Sequence, residues 1–193
     1  MTTLPDWMRP PRPEGWLADD LDNLPHAPRH TELIDGALVF MMSPQKRWHR
    51  RVIHSLDSVL SAQAPDGFFV DSEMTVRLDD RNRPEPDVIV TTRTIDPDAT
   101  WYPASDVVLA VEVVSPESAH RDRTVKMAKY ARAGIDHFWR VENDDTPAST
   151  VIHVYELDEA TSTYVPVTIA RDTLELDRPF PLRIDVPGLY PAD

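Results

Sequence analysis

The run DVVLAVEVVS, residues 106–115, constrains the fold more than any other stretch of the chain. Ten residues of nearly continuous Val, Leu and Ala are the pattern of a strand covered on both faces, because an exposed face would bring polar residues into alternate positions. Such a strand needs layers above and below it, which points to a sheet flanked by helices. Glu112 interrupts the run in its middle. A carboxylate there is costly to bury unless it is paired, protonated or bound to a metal.

The remaining pattern supplies the other elements. TELIDGALVFMMS (31–43) reads as two strands around an Asp-Gly turn, and FFVDSEMTVRL (68–78) as one alternating strand. Val52, Ile53, Leu56, Val59 and Leu60 recur at helical spacing and predict an amphipathic helix over 46–64, ended by APDG. DDRNRPEP forms a turn, and the apolar run DVIVTT then opens at Asp87. A Ser-Pro break precedes a second helix, predicted over about 119–133 with Gly134 as its C′ residue. HFWRVE, TVIHVYELD, TYVPVTIAR and DTLELD complete the strands, the middle pair as a hairpin. Residues 1–29, rich in proline, read as a leader or arm, and 30–193 as a single domain. The fold class is α/β (α+β), a mixed central sheet flanked by two main helices, with extra N- and C-terminal strands. RPFPLRIDVPGLY covers either the sheet edge or a partner.

Composition excludes several function classes. No apolar run approaches the roughly 20 residues that cross a bilayer, and the N-terminal residues lack a basic and apolar signal pattern. A cytoplasmic protein with no membrane association is the simplest fit. Cysteine is absent, which leaves only oxygen and imidazole as metal ligands. The net charge of −13 argues against broad affinity for nucleic acid. The acidic excess, however, sits at the two ends. Residues 141–193 hold three Arg against eleven acids, whereas 45–140 hold 14 Lys and Arg against 15 acids. Two basic clusters, KRWHRR (46–51) and HRDRTVKMAKYAR (120–132), lie in that central part.

Three residues depart from the core pattern: Asp87 at a strand mouth, Glu112 within a strand, and Lys126 on the following helix. One reading of Glu112 is a buried acid satisfied by a Lys or Arg. The other joins the three: two carboxylates at the ends of adjacent strands share a hard cation such as Mg²⁺, and the lysine orients or deprotonates a water or neutralises a phosphate. Asp122, Lys126 and Tyr130 fall at i, i+4 and i+8 on one helix face, so Asp122 can hold Lys126 in place. Lys126 alone is equally a solvated helix lysine, and Tyr130 a core residue.

TELIDGALVFMMSPQKRWHRRV, RPEPDVIV, the segment from DVVLAVEVVSPES to HFWRVE, and VIHVYEL together resemble the Uma-two family of restriction endonucleases in the PD-(D/E)xK nuclease superfamily. The resemblance runs in order from about residue 31 to 165 and implies a restriction-endonuclease-like core with its site at the strand ends. It makes Asp87 the aspartate of the PD motif and Glu112 the acid of the second motif. Val114 stands where that motif carries its lysine, and Lys126 fits the variant in which the lysine has migrated to the next helix. Glu32 matches an acidic position of the first motif that orients a metal-bound water or a second metal, and His49 matches a helix histidine.

The expectation is therefore a nuclease dependent on Mg²⁺ (or Mn²⁺) that hydrolyses DNA. Asp87, Glu112 and the Val113 carbonyl are its metal ligands, Lys126 acts on the water, and Glu32 and His49 support them. Lys46, Arg47, Arg50, Arg121, Arg123 and Lys129 contact phosphates, and a homodimer suits an enzyme that cuts two strands. Two rivals remain: a catalytically silent module that keeps the fold and binds a partner, and a hydrolase of a smaller phosphorylated substrate. Convergence of Asp87, Glu112 and Lys126 in space separates them.

Overall fold

In the computed structural model, residues 5–41, 45–144 and 149–190 are described. After two short 3-10 segments, Asp6–Met8 and Ala18–Asn23, the chain forms a β-hairpin of β1 (Thr31–Ile34) and β2 (Ala37–Phe40). Its turn residues Asp35 and Gly36 both have positive φ, 52° and 77°, as a tight hairpin of matching twist requires. Helix α1 (Arg47–Gln63) follows, within a residue of the expected bounds at each end. It buries Trp48, Val52, Ile53, Leu56 and Leu60, the stripe that the sequence spacing defines.

The stretch 68–78, expected as one strand, is two. β3 (Phe69–Ser72) and β4 (Thr75–Arg77) are separated at Glu73, whose φ of 56° turns the chain out of the sheet. β5 (Val88–Thr91) is buried throughout. β4 pairs in parallel with the short β6 (Trp101–Pro103) and leaves β3 on β5. β7 (Val107–Val113) is the central strand. The predicted second helix begins with a π-helical segment, Arg121–Lys126, that continues into α2 (Met127–Arg132). Gly134, with φ 79°, ends it as expected. The helix crosses back to β8 (His137–Asn143), the connection that a parallel β7–β8 pair demands. β9 (Thr150–Asp158) and β10 (Thr163–Ala170) form the expected hairpin, and β11 (Thr173–Leu176) pairs with β12 (Leu182–Asp185).

The result is a mixed six-stranded sheet in the order β10-β9-β8-β7-β5-β3, with one apolar core on each face. Leu109, Val111 and Val113 of β7 pack on the α1 side, where Phe180, Leu182, Ile184, Val186 and Leu189 close the layer. The C-terminal segment therefore covers the core of its own chain. Ala110 packs on the other side with Tyr130, Ile135 and Phe138. Side chains alternate across a strand, so Glu112 faces the helix that carries Lys126. Within residues 1–29, Trp16 and Ala18 pack against Leu33, and the buried Arg83 donates to the Ala18 carbonyl and to Asp22. Among the described residues no helix is long and apolar enough to cross a membrane.

Candidate active site

Four elements bring acids to the C-terminal end of β7. Glu112 is 2 % exposed and points from the penultimate position of β7 toward the π-helical segment. Lys126 reaches back from that segment, and its Nζ lies 3.0 Å from both carboxylate oxygens of Glu112. The same Nζ lies 2.6 Å from Oε1 of Glu32 on β1, 3.7 Å from Oδ1 of Asp122, and 3.4 Å from the Glu85 carbonyl. An ammonium has three hydrogens, and these acceptors take them all. Burial works against the charge on Lys126, but Glu112, Glu32 and Asp122 outweigh it and hold its pKa well above the ordinary lysine value.

Tyr130, four residues further along, donates its hydroxyl to Glu112 Oε1 at 2.6 Å. It is thus both a core residue and a site residue. The π-helical segment is where Asp122 and Lys126 lie, and such widened turns recur at functional sites.

Asp87 joins from the mouth of β5. Its Oδ2 accepts the Val113 N–H at 2.6 Å, and its own N–H donates to the Val111 carbonyl. The carboxylate therefore sits beside the residue that follows Glu112. Burial pushes the Asp87 carboxyl up to about 8, against the opposing pull of Lys126 and the Val113 N–H. Glu112 is raised well above the ordinary range for the same first reason, with Asp122, Asp87 and Glu32 adding repulsion. His49, buried on α1, places Nε2 3.7 Å from Asp87 Oδ2 and lies against the Val113 backbone. Burial lowers its pKa and favours the neutral ring.

Asp87, Glu112, Lys126, Glu32 and His49 thus line one cleft, whose free volume of about 30 Å³ admits an ion or a water or two. His30, Glu73 and Glu85 also line it. Glu85 does more than stand nearby: its N–H donates to Glu32 Oε1, its carbonyl faces Lys126, and its side chain holds His30 Nδ1 at 2.5 Å. In the sequence Glu85, between two prolines, reads as a bystander to Asp87, and His30 and Glu73 carry no signal for the site.

The donor chemistry suits a hard cation. Five carboxylates, Glu32, Glu85, Asp87, Glu112 and Asp122, surround a single lysine, and the buried Glu32 Oε2 has no hydrogen-bond partner. All these donors are oxygen, the preference of Mg²⁺ and Mn²⁺. Among the described residues no three His, Cys, Asp or Glu side chains stand ready to enclose a metal. Lys126 occupies the space between Glu32 and Glu112, and Asp87 lies beside them at the Val113 N–H. Two carboxylates, a backbone carbonyl and waters are an ordinary Mg²⁺ shell.

The basic clusters are divided. Lys46, Arg47 and Arg50 stand exposed at the start of α1, within a turn of His49. Arg121 is half-buried and donates to the Met41 sulfur beside the cleft. Arg123 and Lys129 are already paired, with Glu142 and with Asp35 at 2.6 Å.

A family model, Uma2, described as "Putative restriction endonuclease", matches residues 18–187. No curated protein matches the chain. Among solved structures the chain resembles the "Crystal structure of a putative nuclease belonging to DUF820 from Anabaena variabilis ATCC 29413", with a TM-score of 0.67 and 18% sequence identity. The likeness covers 89% of this chain and 96% of the other, and at that identity it speaks for a shared fold.

Proposed function

The chain belongs to the Uma2 family of restriction-endonuclease type, and from that premise we propose that it is a Mg²⁺-dependent nuclease hydrolysing DNA phosphodiester bonds. The observation that carries this reading is the convergence of Lys126 with Glu112 and Glu32, beside Asp87, in one cleft. Asp87, Glu112 and the Val113 carbonyl would hold the ion. Bound there, Mg²⁺ supplies an acidified water and neutralises charge on a phosphoryl oxygen. Lys126 stays protonated among its carboxylates, so its role is to offset negative charge at the centre, and it is not the base. Glu32 and Asp122 fix the ammonium, and Tyr130 fixes Glu112. Lys46, Arg47, Arg50 and Arg121 would meet backbone phosphates, helped by the positive end of the α1 dipole.

A second reading, hydrolysis of a smaller phosphorylated substrate, is favoured by one observation. Arg123 and Lys129 spend their charge on Glu142 and Asp35, which narrows the cationic surface available to a long duplex.

The test is cleavage of plasmid and short duplex DNA with Mg²⁺ or Mn²⁺ by the purified protein and its Glu112→Gln and Asp87→Asn variants. The nuclease reading predicts metal-dependent cleavage by wild type alone. Cleavage that survives in both variants, or none by any folded preparation, overturns it.

A further inference from the structure

The lining of the cleft poses an electrostatic problem. Six carboxylates face it (Glu32, Glu73, Glu85, Asp87, Glu112 and Asp122), and a phosphodiester is itself an anion. Three lining side chains can carry positive charge. Lys126 is 5 % exposed and fully engaged by carboxylates, and His49 is 7 % exposed and lies against the Val113 backbone. His30 differs: its side chain is 36 % exposed, at the mouth of the cleft.

Its geometry is that of a held donor. His30 Nδ1 is 2.5 Å from Glu85 Oε1, and Glu85 is tied through its backbone to Glu32 and Lys126. With Nδ1 committed, Nε2 is the ring atom left for an incoming group. The chain also adopts unfavourable backbone to make this arrangement. His30 and Glu73 are both left-handed, with φ of 59° and 56°, and both line the cleft. Non-glycine residues held in that region gather at functional sites.

We propose that His30, anchored by Glu85, is a substrate-contact residue whose imidazolium form donates a hydrogen bond from Nε2 to a non-bridging oxygen of a substrate phosphate at the cleft mouth, since both ring nitrogens donate only in that form. The proposal rests on the nuclease reading above and adds a residue to it. Glu73 and Arg29 are the other charged groups whose fields reach His30; Glu73 supports its positive charge, and Arg29 opposes it.

The test is binding of a short fluorescent duplex DNA, with Ca²⁺ in place of Mg²⁺ so that affinity is read without cleavage. His30→Ala weakens binding about tenfold, as loss of a charge-assisted hydrogen bond does, and lowers the salt dependence by about one phosphate contact. Glu85→Gln weakens it less, and His30→Arg restores both affinity and salt dependence. A merely structural histidine would not be rescued by arginine, and thermal unfolding identifies any variant that misfolds. Wild-type affinity and salt slope in His30→Ala, or no recovery in a folded His30→Arg, overturn the proposal while leaving the nuclease reading standing. Failure of the wild type to bind the duplex at low salt overturns both.

Discussion

Lys126 Nζ lies 2.6 Å from Glu32 Oε1, a contact that ties the π-helical segment before α2 to the first strand of the chain. Both groups are buried, so neither charge is stable there without the other. The pair fixes where the hairpin sits over the sheet and, through Glu112, where the acid of β7 points.

Removing that cation should therefore cost far more than removing a surface lysine. Lys126→Met leaves Glu32, Glu112 and Asp122 without their shared partner, and breaking a buried pair costs about 3–5 kcal/mol. The loss should be largest near about pH 8 and smaller near about pH 5, where Glu112 and Asp122 can take up protons. Urea unfolding at the two pH values checks this; equal losses at both would show that the carboxylates do not feel Lys126.

The metal-free protein should lose stability as pH rises. Asp87 ionises at 3.8 in an ordinary setting but holds its proton up to about 8 in the fold. Between those values the folded state binds the extra proton, so stability falls with rising pH. Burial shifts Glu112 and Asp122 in the same direction, and the raised Lys126 changes nothing below the ordinary lysine range. The lowered His49, His137 and His153 oppose this trend below the ordinary histidine range, so thermal scans in EDTA from about pH 7 to about pH 8 should show a falling midpoint, and saturating Mg²⁺ should flatten the slope, because its ligands must be ionised. A flat or rising profile in EDTA would contradict the burial of these acids.

Tyr130→Phe isolates the hydroxyl that holds Glu112. The ring stays packed against Phe138, so the fold survives with a loss of about 1–2 kcal/mol for the missing donor. Metal affinity should fall about tenfold, as it does when a ligand loses its orienting partner. Calorimetric titration with Mn²⁺ reads this directly, and unchanged affinity would remove Glu112 from the ligand set.

Much of this was legible in the chain itself, where local pattern and tertiary demand agree. The Asp-Gly hairpin, the α1 stripe and the Val-rich β7 are recognisable because each repeats its period over several residues. Glu112 stands out because a carboxylate in such a run needs a partner, and the helix after β7 supplies one at Lys126. The break at Glu73 was hidden, since the alternation of 68–78 continues across a residue whose left-handed backbone the pattern does not encode. The π-helical segment was equally hidden, because a widened turn keeps the composition of an α-helix. Glu85 read as a bystander because its role depends on His30 and Glu32, which no spacing in sequence connects to it. The pairing of Arg123 with Glu142 and of Lys129 with Asp35 was hidden as well, since no spacing in sequence links either residue to its partner.

The most direct measurement is anomalous diffraction from crystals of the protein grown with Mn²⁺. A metal centre built from these residues gives one strong peak between the Asp87 and Glu112 carboxylates, next to the Val113 carbonyl, with Lys126 still on Glu32. A peak elsewhere, or none at saturating Mn²⁺, would contradict a metal-dependent hydrolytic centre built from these residues.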